Sequence, residues 1–143
     1  MDYYRPVPGT QVEDLETPCL LVDLDAVEHN FRVVADTYRD TECKMRQHTK
    51  NIKSPRLAKM QIEAGGTVGG VCTAKLSEAE VMVEGGVTDI LIPNQVVHKD
   101  KIARMCALAR RADMKVCVDN MQNVKDLSDI ADAYGVKIGV LIE

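Results

Sequence analysis

TVGGVCTAKLSEAEVMVEGGVTDILIPN, residues 67–94, reads as a strand, a helix and a second strand. TVGGVC (67–72) is a short apolar run. Ala74 to Glu84 then puts Leu76, Ala79 and Val83 on one helical face. Gly85-Gly86 stops that helix, because glycine accepts the left-handed backbone that a helix end often needs. DILIPN (89–94) is the next short apolar run. The cycle extends in both directions. Upstream, PCLLVDL (18–24) predicts a strand and 25–38 a helix with Val27, Phe31, Val34 and Tyr38 inward, started by an Asp25/Glu28 capping pair. CKMRQH (43–48) predicts a strand. Ser54-Pro55 opens a helix as N-cap and first helical residue. Leu57, Met60 and Ala64 line that helix, and Gly65-Gly66 ends it. Downstream, Lys99–Arg111 carries Ile102, Met105, Cys106 and Ala109, and KVCVD (115–119) predicts a strand. Asn120 caps a helix with Val124, Leu127, Ile130 and Tyr134 inward, Gly135 ends it, and KIGVLIE (137–143) predicts the last strand.

The expected strand ends, His48, Cys72, Asn94, Asp119 and Glu143, are 24, 22, 25 and 24 residues apart. One βα unit per step, with short continuous apolar strands, predicts an α/β fold with a parallel sheet. An open doubly wound sheet places a glycine-rich loop after its first strand. Here that position reads DLDAVEHN, without glycine, and GGTVGG (65–70) runs into a strand instead of opening a helix. The expectation is therefore a parallel (β/α) TIM-type barrel. Such a barrel uses eight strands and ~250 residues. The chain supplies five to six βα units, so it is expected to be the N-terminal part of one: residues 1–17 an N-terminal extension, residues 18–143 the incomplete barrel.

A net charge of −4 offers no basic surface for nucleic acid or anionic lipid. With 3 % aromatic residues, base-stacking platforms are excluded. No apolar run approaches the ~20 residues of a membrane span, and the polar N-terminus is unlike a secretory signal; a cytoplasmic location is expected. The five cysteines lack C-x-x-C spacing and predict neither disulfides nor a zinc ribbon. Cys19, Cys43, Cys72 and Cys117 are expected as small apolar fillers beside strands. His29 and His98 are expected at the surface, and no metal site is expected within the chain.

Barrel enzymes work at the C-terminal ends of their strands. The positions to inspect are His48–Lys50, Cys72–Lys75, Pro93–Gln95, Asp119-Asn120 and Glu143. The first is the richest: MRQHTKNIKSP gathers Arg46, His48, Lys50 and Lys53 around a strand end. A lysine there can form an imine with an aldehyde when its amine is neutral part of the time, which nearby cations and desolvation favour. Arg46, His48 and Lys53 are the expected source of that positive field, and the same cations attract phosphate.

ETPCLLVDLDAVEHN resembles the opening of fold-type III pyridoxal-phosphate proteins, the alanine-racemase-like barrels. MRQHTKNIKSPRLAKMQIEAGG is similar to the D-threonine aldolase/D-serine dehydratase branch, with its Arg-Pro-His-x-Lys-Thr-His-Lys stretch, and GGVCTAKLSEAEVMVEGGVTDILIPNQVV continues the likeness without a gap. Arg46, His48, Lys50 and Lys53 match the branch's Arg, His, first Lys and last Lys. Gln47 replaces Pro, and Asn51-Ile52 replaces Thr-His. The resemblance implies a Schiff base of pyridoxal 5'-phosphate on Lys50, with His48, Arg46 and Asn94 as further cofactor-binding residues. It implies a homodimeric lyase acting on small D-3-hydroxy amino acids, by aldol cleavage or by dehydration. It also implies a C-terminal β domain, absent here, where a divalent metal would sit and with which strand 18–24 would pair if not with the barrel. An amino-acid racemase of the same fold and a non-catalytic pyridoxal-phosphate-binding protein are the alternatives.

Overall fold

The computed structural model describes residues 5–143. Among them, one sheet of five strands runs in the order β1 (Met45–His48), β2 (Thr67–Cys72), β3 (Asp89–Ile92), β4 (Asp113–Val118) and β5 (Gly139–Ile142). All four pairings are parallel. Helices α1 (Leu24–Tyr38), α2 (Pro55–Ala64), α3 (Leu76–Glu84), α4 (Lys99–Leu108) and α5 (Met121–Tyr134) alternate with the strands. A doubly wound sheet reverses its strand order at a switch point. Here every strand pairs with its neighbours in sequence, the order of a (β/α) barrel wall.

The sheet has two unlike faces, because successive residues of a strand point to opposite sides. Val71, Ile90, Ile92, Met114 and Val116 face the helices and are buried. They meet Ala79, Met82, Ile102, Met105, Cys106 and Leu127 in one continuous core. The opposite face, which lines the interior of a barrel, carries Arg46, His48, Cys72, Asp89, Leu91 and Lys115.

Several expected boundaries hold for their expected reasons. Ser54 caps α2 by accepting the Leu57 N–H, with Pro55 at the first helical position. Asn120 caps α5 with bonds from the Gln122 and Asn123 N–H groups. Gly135 ends α5 in the left-handed region at φ 64°. Val27, Phe31, Val34 and Tyr38 are the less exposed side of α1 around buried Ala35.

Other expectations are corrected. Residues 18–23 form no strand, and Leu20 there is 98 % exposed. Among the described residues no neighbouring strand offers this segment a ladder, and Pro18 has no N–H to donate. The cap of α1 is Asp23, accepting the Ala26 N–H, and not Asp25. The buried side of α2 is Ala58 and Gln61; Ala64 is exposed. β3 stops at Ile92 because Pro93 cannot extend the ladder. Cys19 and Cys43 are exposed and fill nothing, whereas Cys106 and Cys117 are buried.

The α2 start and the α3 end interlock. A Cβ added at Gly85 would lie 2.1 Å from Pro55 Cβ. The Gly85 backbone is ordinary, with φ −75°, so the constraint is steric. Gly85→Ala is expected to destabilise by roughly 1–3 kcal/mol through overpacking, seen as a lower Tm. An unchanged melt would show that this junction yields freely.

Candidate active site at the end of the first strand

β1 sends alternate side chains to its two faces. Gln47 is buried on the helix side, its Nε2 donating to the Ala58 carbonyl at 2.9 Å. Thr49 is fully buried on the same side, and its N–H and Oγ1 both donate to the Cys72 carbonyl, at 2.9 and 3.1 Å. Those bonds tie the end of β1 to the end of β2. Arg46 and His48 take the other face, and the chain then turns through Lys50.

Lys50 is exposed in that turn. Among the described residues its amine has no carboxylate or hydrogen-bond partner; only its backbone N–H is engaged, donating to His48 Nδ1 at 3.2 Å. His48 Nδ1 is therefore an acceptor, which places the proton of the neutral ring on Nε2. The turn is closed by the Lys53 N–H donating to the Thr49 carbonyl at 2.8 Å. Lys53 has φ 44°, the one positive φ at a non-glycine position among the described residues. A lysine in that region costs about 1–2 kcal/mol. Its Nζ stands 3.7 Å from Glu78 Oε1, and Glu78 Oε2 accepts the Ala74 N–H at 2.8 Å. Asn94 Nδ2 donates to the Ala74 carbonyl at 3.1 Å. The loops that follow β1, β2 and β3 are thus joined to one another. Asn94 also lines a cavity of about 380 Å³ with Lys75, His98 and Lys101.

Arg46 belongs to a different constellation. Its guanidinium donates through Nη1 and Nη2 to the two oxygens of Asp89, at 2.8 and 3.0 Å. Lys115 Nζ donates to Asp89 Oδ1 at 2.8 Å and to Asp113 Oδ2 at 2.5 Å. Asp89 and Asp113 are the first residues of β3 and β4, so this network fills the N-terminal end of the inner face. Arg46 spans β2 to reach it because Gly70 has no side chain: a Cβ there would meet Arg46 Nη1 and Asp89 Cγ, each at 2.5 Å.

Charge follows geometry. Burial pushes the Asp89 carboxyl upward, but the hydrogen bonds and charges of Arg46 and Lys115 outweigh it and leave it below the ordinary value. Burial pushes Lys115 downward, and its bonds to Asp113 and Asp89 bring it above the ordinary value. The hydrogen bond to Asp89 holds Arg46 up. Burial raises the Cys72 thiol despite nearby Arg46. The expected positive field around Lys50 is accordingly weakened: Arg46 is paired with Asp89 and Lys53 faces Glu78.

The structure brings His48 and Lys50 into direct contact, joins Asn94 to the same group of loops through Ala74, and turns Arg46 to the opposite end of the strand. Asp89, Lys115, Gly70 and Glu78 were not among the site residues expected from the sequence. The one available signal was Gly69-Gly70 inside a strand, a usual mark of close approach by neighbouring groups. His29 is exposed, and His98 is exposed at the start of α4. Among the described residues no three His, Cys, Asp or Glu side chains gather as a metal site, and no helix is long and apolar enough to cross a membrane.

A parallel, sequentially ordered barrel wall defines the class. The family described as alanine racemase, N-terminal domain, matches residues 22–143, and the chain belongs to that family. It is 41 % identical over 138 residues to 3-hydroxy-D-aspartate aldolase of Paracoccus denitrificans, covering 96 % of this chain and 35 % of that protein. The solved structure of D-threonine aldolase from Filomicrobium marinum superposes with TM-score 0.85 at 44 % identity, over 91 % of this chain and 34 % of that one. D-threo-3-hydroxyaspartate dehydratase from a Delftia species superposes with TM-score 0.78 at 28 % identity, over 90 % of this chain and 34 % of that one. The chain thus spans about a third of the length of the relatives it matches.

The Asp89 network sets a pH dependence. A depressed carboxyl stabilises the fold above the unfolded value, ~3.9, and that contribution is lost as pH falls through the folded value. A raised lysine stabilises below ~10.4, and its contribution is lost as pH rises through the folded value. Asp89→Asn leaves Arg46 and Lys115 without their shared carboxylate. With these side chains about a quarter exposed, the expected loss is roughly 1–3 kcal/mol, below that of a fully buried pair. Urea denaturation between pH 3 and pH 7 should show a shallower acid dependence in the variant; an unchanged acid limb would remove Asp89 from the account.

Proposed function

We propose that the protein carrying this chain is a pyridoxal-phosphate-dependent lyase acting on a D-configured 3-hydroxy amino acid, with Lys50 as the residue that holds the cofactor. The observation that carries the reading is the Lys50 amine itself: exposed, without a partner, and at the C-terminal end of the first strand of a parallel barrel wall. The residues present fit the group, since its aldehyde needs a primary amine free of a competing carboxylate. When bound, the cofactor supplies an electron sink for the charge left at the substrate's Cα.

The chain's own residues divide the remaining work. Lys50 would hold the cofactor through its amine. His48, its Nδ1 taken by the Lys50 N–H, has an Nε2–H left to donate. Asn94 secures the Ala74 carbonyl and so the loop after β2. Arg46 acts from beneath, fixing the inner face of β1 through Asp89. Aldol cleavage is favoured over dehydration, because the aldolases named above are 41 % and 44 % identical to the chain and the dehydratase 28 %. One solved D-threo-3-hydroxyaspartate dehydratase variant is in a metal-free form. A metal in the present protein would be held by residues outside those described.

Borohydride reduction of the complete protein with bound pyridoxal phosphate, followed by peptide mapping, tests the reading. The pyridoxyl label should fall on Lys50. Lys50→Ala should lose the cofactor's visible absorbance and nearly all lyase activity, since no other residue provides the attaching amine. A label on Lys53 or Lys75 overturns the site; no label at all overturns the cofactor assignment.

A further inference from the structure

Glu78 bridges the loop after β2 and the turn after β1. It lies in the first turn of α3, and its side chain is only 14 % exposed. One oxygen accepts the Ala74 N–H; the other faces Lys53 Nζ across 3.7 Å. A helix cap explains the first contact and leaves the second without a reason. The second falls on the one described non-glycine residue with positive φ.

That residue closes the turn carrying Lys50. The turn has two feet. The front foot, Thr49, is tied to the Cys72 carbonyl by two bonds. The back foot, Lys53, is held by its N–H to the Thr49 carbonyl and by its ammonium toward Glu78. Without the second anchor, Lys53 has less to keep it in an unfavourable backbone region, and the turn is free to relax around Lys50. We infer that Glu78 is a positioning residue for Lys50: through Lys53 it holds the 49–53 turn in the shape that presents the amine for cofactor attachment. This rests on Lys50 being the attachment residue.

The test is a double-mutant cycle in the complete protein, read as the rate at which pyridoxal phosphate becomes borohydride-trappable on Lys50. Glu78→Gln keeps an oxygen for the Ala74 N–H and removes the charge facing Lys53. Lys53→Met removes the ammonium and leaves Glu78 intact. Each should slow Lys50 labelling roughly five- to tenfold, as small misplacements of a reacting group do. The double variant should be no slower than either single one. Lys53→Arg, which keeps a cation, should return the rate to within about twofold of the parent. Thermal melts establish that each variant is folded. Wild-type labelling by Glu78→Gln would reduce Glu78 to a cap and overturn the inference. Multiplying effects in the double variant, or no rescue by Lys53→Arg, would overturn it too. Absence of label on Lys50 in the unsubstituted protein would instead defeat the underlying cofactor reading, so the two failures are distinct.

Discussion

Asp89 accepts two hydrogen bonds from Arg46 on β1 and one from Lys115 on β4, so one carboxylate at the start of β3 links three strands of the five. The opposite face of the sheet needs no such device. There Val71, Ile90 and Ile92 are held by the helices that cover them. The inner face has no helices, and side chains must meet across neighbouring strands. An arginine can do so over β2 only if the intervening position is bare, which is why Gly70 and the Arg46–Asp89 pair form one unit. A lone half-buried cation would be costly; two cations around two carboxylates, Asp89 and Asp113, leave the layer nearly neutral.

This arrangement divides β1 into two halves with opposite tasks. At its N-terminal half, charge is compensated and geometry is bidentate, which suits a fixed floor. Beyond its C-terminal end, among the described residues the Lys50 amine is left without a partner, while three backbone groups beside it are engaged: the Lys50 N–H by His48, the Thr49 N–H by Cys72, the Thr49 carbonyl by Lys53. An amine proposed to react needs freedom at its tip and rigidity at its base. The turn provides both, because its bonds are all made by backbone groups and by neighbouring side chains, and none by the Lys50 ammonium.

The fold was legible where one residue decides one conformation. Ser54-Pro55, Asn120 and Gly135 announce helix ends by their own chemistry, and the even spacing of apolar runs announces parallel strands. It was misread where a partner decides: PCLLVDL has strand composition, yet a strand exists only if another backbone accepts its ladder. The placement of the candidate site residues divides in the same way. Lys50 and His48 could be placed at a strand end from the pattern alone. The partners of Arg46 and Lys53 could not, because Asp89 and Glu78 lie 43 and 25 residues further along the chain, and only the sheet register brings them near. A cluster of like charges in sequence suggested a positive field; in space Arg46 and Lys53 each face a carboxylate, and Lys50 does not.

The departures from the aldolase–dehydratase pattern bear on what surrounds the amine. Gln47, where that pattern has proline, has an N–H that proline lacks and donates through Nε2 to the Ala58 carbonyl on α2, so the exchange falls on the helix side and leaves the inner face alone. Asn51-Ile52 replaces Thr-His, and here the change is chemical. Asn51 Oδ1 accepts the Ile52 N–H at 2.9 Å, so it serves the turn itself. Ile52 turns toward Phe31 and Val34, lining with them a cavity beside β1. The imidazole of the pattern is thereby exchanged for a side chain that cannot carry a proton. His48 is left as the imidazole of this turn, and its Nδ1 is already taken by the Lys50 N–H. A base that removes a proton from a substrate hydroxyl must have a free lone pair, and neutral His48 with its proton on Nε2 has none to spare. On this geometry His48 presents an N–H donor on Nε2 and no spare lone pair, and the 49–53 turn holds no second imidazole.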